Sequence, residues 1–267
     1  MNTSPTLTPQ HKDQFIQDGY IVMRGLIPLD VVNIARQQIQ ESLQVDENDP
    51  ATWVGKNVVW DEEARAATVP CRTPQIESVA EQLVGPHFVP GLCFSPYLET
   101  RGEADPLIQG FIPVLQFPTP GAAQWVRPSG WHIDGMKHTT LWPDKHFLIV
   151  FAYLNDVPAH GGATTILPGS HRQVFEHWVT TQHPGSTVPP DLPYAEPIPM
   201  PGQAGDVIFM HYLTVHSGSE NRSAHIRYGL NTAVMPDPQQ PYERKAGSPR
   251  PNWTPLDWTL RTDNLPS

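Results

Sequence analysis

Trp131-His132-Ile133-Asp134-Gly135 sets an imidazole and a carboxylate two positions apart in a short run. In an extended strand, residues i and i+2 project to the same face. His132 and Asp134 can therefore aim at one point. One imidazole and one carboxylate make two thirds of the facial triad used by mononuclear non-haem Fe(II) sites, which is completed by a second histidine. That third ligand is expected on another strand, far along the chain. His216 is the best candidate: in Leu213-Thr214-Val215-His216-Ser217-Gly218 it ends an apolar run that follows the Gly205-Asp206 turn.

The surroundings of both segments are strand-like. From about residue 87, short apolar runs alternate with Pro/Gly turns: His87–Leu98, Leu107–Phe117, Phe147–Leu154, Ala163–Leu167, Asp206–Met210 and Ile226–Met235. Short strands punctuated in this way predict a sandwich or barrel. Before them, Thr8-Pro9 starts a helix that runs to about Gln17, and Tyr20–Met23 reads as a strand. Asp30 is expected to cap a second helix, with Val32, Ala35, Ile39 and Leu43 at helical spacing. A third helix starts at Thr73-Pro74 and stops at Gly85, and residues 45–70 between the second and third are irregular. Helices first and strands later disfavour a Rossmann-type sheet. The expected organisation is one domain over 1–267: a helical part at about 8–85, a barrel core at about 87–235 and a wrapping tail at 236–267. The Pro-rich stretch 181–203 reads as one long loop, the kind that often acts as a lid.

Composition narrows the classes. The chain has 31 prolines in 267 residues, far above the usual ~5%, which predicts loops and strand edges with few long helices. A net charge of -10 argues against nucleic acid as a partner, since a phosphate backbone needs a basic surface. No apolar run is long enough to span a membrane, and Met1–Gln10 lacks a signal-peptide layout. Two cysteines, Cys71 and Cys93, are too few for a thiolate zinc site and read as free thiols in a reducing, cytoplasmic setting. Twelve histidines raise the prospect of a metal site without locating it.

Several segments, taken in order, resemble the phytanoyl-CoA dioxygenase family. They are Asp13-Gln14-Phe15 through Gly19-Tyr20-Ile21-Val22, the Trp131–Asp134 motif, and Gly161-Gly162-Ala163-Thr164 with Leu167-Pro168-Gly169-Ser170-His171. Gly205-Asp206-Val207-Ile208-Phe209 with Val215-His216-Ser217-Gly218 follows, and Asn221-Arg222-Ser223 through Arg227 closes the series. The resemblance covers roughly residues 8–235. It implies a mainly β fold, a double-stranded β-helix (jelly-roll or cupin-like barrel) flanked by N-terminal helices. It implies Fe(II) held by His132, Asp134 and His216, with 2-oxoglutarate and O2 as cosubstrates. A guanidinium suits the far carboxylate of 2-oxoglutarate, because it offers a planar bidentate fork, and the resemblance puts that role on Arg227. It puts a hydroxyl partner at Thr164 and a flanking aromatic at Phe151, and Gln116 is a further candidate for contact with cosubstrate or substrate. The reaction implied is oxidation of a C–H bond in a small organic molecule, with 2-oxoglutarate converted to succinate and CO2.

Relatives often carry Gln between the two ligands; Ile133 here removes one possible hydrogen bond near the iron. Asp134 disfavours halogenation, in which that carboxylate gives way to a halide. With no clear basic cluster to bind CoA phosphates, an acyl-CoA substrate is disfavoured. Pro168–His171 reads as a turn and helix start without chemistry, and His211 as packing. His138, His146, His160, His177, His183 and His225 read as loop or surface histidines, and Trp131 and Trp142 as core. Two other classes stay open: a cupin-like metalloenzyme without 2-oxoglutarate, and a non-catalytic Fe/2-oxoglutarate sensor.

Overall fold

The computed structural model describes residues 5–53, 59, 61–84, 88–89, 111–119, 126–134, 148–183 and 185–236. The expectations for Gly85, Cys93, His138, Trp142 and His146, for most of the His87–Leu98 run and for the tail beyond Pro236 lie outside these residues.

The first helix, α1 (Pro9–Asp18), begins as its sequence dictates: Thr8 Oγ1 accepts from His11 N–H, and Pro9 stands where no intrahelical N–H is needed. It ends at Gly19, whose φ of 81° suits a residue without Cβ. Strand β1 (Tyr20–Met23) follows directly. Helix α2 (Leu29–Leu43) buries Val32, Ala35 and Ile39. The expectation that Asp30 caps it is corrected: Pro28 holds the N-cap position and Asp30 lies in the first turn, where its charge meets the positive end of the helix dipole. Residues 45–70 hold short helical pieces, among them α3 (Glu62–Ala66), and α4 (Pro74–Val84) follows.

The strands are β2 (Phe88–Val89), β3 (Ile112–Gln116), β4 (Leu148–Tyr153), β5 (Thr164–Ile166), β6 (Ile198–Pro199), β7 (Val207–His211), β8 (His216–Gly218) and β9 (Arg227–Pro236). Helix α5 (Ser170–Thr181) lies between β5 and β6. A six-stranded antiparallel sheet has the order β1-β7-β4-β9-β2, with β3 also pairing β9; a three-stranded sheet has the order β6-β5-β8. Five helices among the described residues make the architecture mixed, more helical than the proline count predicts. The prolines that should break helices stand instead at their starts, as Pro9, Pro28 and Pro74, and Pro113 and Pro199 fall on edge strands. The stretch 181–203 is not one structureless loop. It begins in α5 and returns to the sheet as β6, with Thr165 opposite Pro199.

Strand alternation sorts the core into layers. On β4, Leu148, Val150 and Ala152 face the N-terminal helices together with Val207, Phe209, Ile21 and Leu230. Ile149, Phe151 and Tyr153 face the other way and pack with Ile208, Met210 and Ala233 of the large sheet and Ile166 of the small one. Each fully buried aliphatic side chain contributes about 1.5–3 kcal/mol, so a one-residue slip of β4 would be heavily penalised. A third cluster joins Ile133, Leu167, Phe175, Trp178, Leu213 and Val215 around α5. Cys71 is a free, buried thiol whose pKa burial pushes up to about 12. No helix among the described residues is long and apolar enough to cross a membrane.

Candidate metal centre and cosubstrate pocket

The small sheet builds half of the site. His216 opens β8, and His132 pairs with it as an isolated antiparallel bridge, not as part of a longer strand. The segment around His132 still alternates. Ile133 is fully buried in the α5 cluster, and its N–H donates to Thr187 O at 2.9 Å. The expectation that Ile133 removes a hydrogen bond near the metal is therefore corrected: that side chain points away from the site.

Ligand atoms of His132, Asp134 and His216 all lie within 4.8 Å of one another. His132 Nε2 is 3.7 Å from Asp134 Oδ1, and His216 Nε2 is 3.4 Å from Asp134 Oδ2. Atoms bound about 2 Å from one shared ion lie roughly 3–3.5 Å apart, so small side-chain movements complete the site. The tautomers are set from behind. His132 Nδ1 donates to Gly130 O at 2.8 Å, and His216 Nδ1 donates to Thr214 O at 3.0 Å. Both Nε2 atoms are left as acceptors aimed inward. His216 Nε2 is buried and has no hydrogen-bond partner, an orphaned lone pair that a cation would satisfy. Burial first, and then the neighbouring His216, hold the His132 pKa below its ordinary value, which favours the neutral form a metal needs.

The large sheet carries the other expected residues. Phe151 meets His216 edge-on, with ring centroids 5.6 Å apart. Gln116 and Arg227 are cross-strand partners on β3 and β9. Arg227 is 5% exposed, and its Nη2 donates a long 3.4 Å bond to Val114 O, while Nε has no partner. Burial lowers its pKa, and the phenol of Tyr153 acts in the opposite direction. A guanidinium keeps its charge in a protein. No carboxylate among the described residues pairs with this one, so the cation is buried without a counter-ion among them. Thr164, buried on β5, reaches the same region through Tyr153, whose hydroxyl accepts from Thr164 N–H and donates to Met200 O.

Sequence reasoning missed four participants. Tyr153 shares the face of Phe151 by strand parity, a signal that was available. Gly229 and Asn231 share the face of Arg227 in the same way. Ser170 is more than a helix start: it is fully buried, and its Oγ accepts from Val215 N–H at 2.8 Å, anchoring the residue before His216. His211 is packing as expected, stacked on Tyr212 and close to His171, with ring centroids 4.7 and 5.0 Å away.

Two imidazoles and one carboxylate, gathered beside two packed antiparallel sheets, form the donor set of mononuclear non-haem iron oxygenases. The chain belongs to the phytanoyl-CoA dioxygenase family, whose model matches residues 15–229. It is thereby a 2-oxoglutarate-dependent non-haem iron dioxygenase, with Fe(II), 2-oxoglutarate and O2 as its cofactors. The chain is 24% identical to Dioxygenase trt7 of Aspergillus terreus (strain NIH 2624 / FGSC A1156), over 92% of this chain and 80% of that one. Its fold is similar to that of SnoK, a non-haem α-ketoglutarate-dependent carbocyclase from nogalamycin biosynthesis, with TM-score 0.57, 18% identity and coverage of 88% and 86% of the two chains. The epimerase SnoN, solved with Fe3+, α-ketoglutarate and nogalamycin RO, matches with TM-score 0.54, 19% identity and coverage of 85% and 82%. At these identities the two structures speak for the fold.

Proposed function

We infer that this protein hydroxylates an unactivated C–H bond of a small organic molecule in the cytoplasm, as a single domain on a double-stranded β-helix. The balance is R–H + 2-oxoglutarate + O2 → R–OH + succinate + CO2. The observation that carries this reading is the buried guanidinium of Arg227, without a carboxylate partner among the described residues, on the interior face that also bears Phe151, beside His216. In this reading His132, Asp134 and His216 hold the iron, which supplies the activation of dioxygen. Arg227 grips the far carboxylate of 2-oxoglutarate with help from Thr164; Phe151 and Gln116 flank it. Phe151, Ile149 and Met210 keep the surroundings apolar, which excludes water and strengthens the ion pair to Arg227.

An acyl-CoA substrate fits poorly, because a net charge of -10 offers CoA phosphates little attraction. A neutral or weakly polar substrate fits better, and the natural-product setting of SnoK and SnoN supports it. Those two are a carbocyclase and an epimerase, so ring closure or stereoinversion is the second reading; either begins by removing hydrogen from the same kind of C–H bond. The test is anaerobic addition of Fe(II) and 2-oxoglutarate, followed by a succinate-release screen in air over polycyclic and other apolar substrates. A visible charge-transfer band and substrate-dependent succinate are expected. The band without substrate-coupled succinate would favour a sensor, and no 2-oxoglutarate dependence would favour a cupin-like enzyme of another kind.

A further inference from the structure

The interior face of the large sheet is arranged in rows across β3, β9 and β4. Gln116 and Arg227 are opposite one another; one step on, Val114, Gly229 and Tyr153 align; the next row is Ile112, Asn231 and Phe151. Arg227 does not extend away from the sheet. A Cβ built on Gly229 would lie 3.0 Å from Arg227 Nη1 and 3.1 Å from Cζ, so the guanidinium lies over Gly229. The next residue on that face is Asn231, about 6.6 Å further along the strand. Its neighbour Phe151 meets His216. Asn231 therefore stands in the row that reaches the metal ligands through Phe151.

Asn231 is only partly buried, and among the described residues its carboxamide has no hydrogen-bond partner. Its neighbours in the row, Ile112 and Phe151, offer no polar side-chain atom. In this otherwise apolar row the carboxamide is the side-chain group able to hydrogen-bond a ligand. Two-residue alternation also excludes the helix-facing layer, where Leu230 is buried. A ligand with a carboxylate at each end, one on Arg227 and one at the metal, would set its inner carboxylate beside this amide.

We propose that Asn231 is a further cosubstrate-contacting residue, whose carboxamide N–H donates to the 2-oxoglutarate carboxylate nearest the metal. This rests on the reading of Arg227 and the triad given above. The test uses the full chain under anaerobic conditions, titrating 2-oxoglutarate into the Fe(II)-loaded protein and following the visible charge-transfer band. Asn231→Ala should weaken 2-oxoglutarate binding about tenfold or more and shift the band, because a hydrogen bond to a charged group is lost. Affinity for Fe(II) alone should be unchanged. Asn231→Leu, of nearly the same volume, decides the matter if the alanine variant folds poorly. Wild-type 2-oxoglutarate affinity with an unshifted band in Asn231→Leu would overturn the proposal. Arg227→Ala is measured in parallel. Weak binding there with wild-type binding in the Asn231 variants sinks the role of Asn231 alone; wild-type binding in Arg227→Ala sinks the pocket reading as well.

Discussion

His132 and His216 hold each other through the backbone: His132 N–H donates to His216 O at 3.0 Å, and His216 N–H donates to His132 O at 3.1 Å. Eighty-odd residues of chain separate them, yet this one bridge fixes both imidazoles on the same side, with ring centroids 4.3 Å apart. Because the bridge is made by main-chain atoms, it survives truncation of either side chain. His216→Ala is therefore expected to keep its folded circular dichroism spectrum while losing Fe(II) affinity by more than about 100-fold, beyond what loss of an outer hydrogen bond costs a metal site. Anaerobic Fe(II) titration checks this; retained affinity would remove His216 from the ligand set.

Gly229 has no side chain where the guanidinium of Arg227 lies. Gly229→Val should push Arg227 out of place and weaken 2-oxoglutarate binding by about 10- to 100-fold, the scale of a lost charge-assisted contact. Fe(II) binding should be spared, since the triad lies on other elements. The measurement is a pair of titrations, one with metal alone and one with cosubstrate. Equal losses in both would point to general misfolding.

Ser170 supports the proposed metal ligand His216 indirectly. Its fully buried Oγ is the acceptor for Val215 N–H. Ser170→Ala leaves that donor unsatisfied and should cost about 1–3 kcal/mol of stability. It should also lower Fe(II) affinity by about tenfold, because the segment that aims His216 is released. Urea unfolding and metal titration read the two effects separately. A stability loss with unchanged metal affinity would confine Ser170 to a structural role.

His171 is 1% exposed, and its Nε2 donates to Ile16 O at 3.2 Å. Burial, and next His211, hold its pKa well below the ordinary 6.5. Below that ordinary value the unfolded chain takes up a proton that the folded chain refuses. Stability from this group is therefore present above about pH 6.5 and declines as pH falls below it. Urea midpoints measured from about pH 8 down to about pH 5 should decrease. His171→Gln should flatten that slope; an unchanged slope would assign it to other groups.

Much of the site was legible because strand parity is local. His132 and Asp134 are two residues apart, and that spacing alone orients them together, as it orients Phe151 with Tyr153. The first helix was legible for the same reason, since Thr8, Pro9 and Gly19 act on their own neighbours. Asp30 was misjudged because Pro28 competes for the same helix end, and local preference cannot rank the two. Ile133 was misjudged because its surroundings come from Phe175, Trp178 and Leu213, far along the chain.

The residue types available for metal and cosubstrate chemistry, and which of them share a strand face, follow from the order of amino acids, because side-chain direction along a strand is set by backbone geometry. Only the tertiary structure brought His132 onto His216, laid Arg227 over Gly229, tied Ser170 to Val215 and set Asn231 beside Phe151. Those relationships depend on strand register and close packing between distant segments, where a shift of a single residue reverses every face.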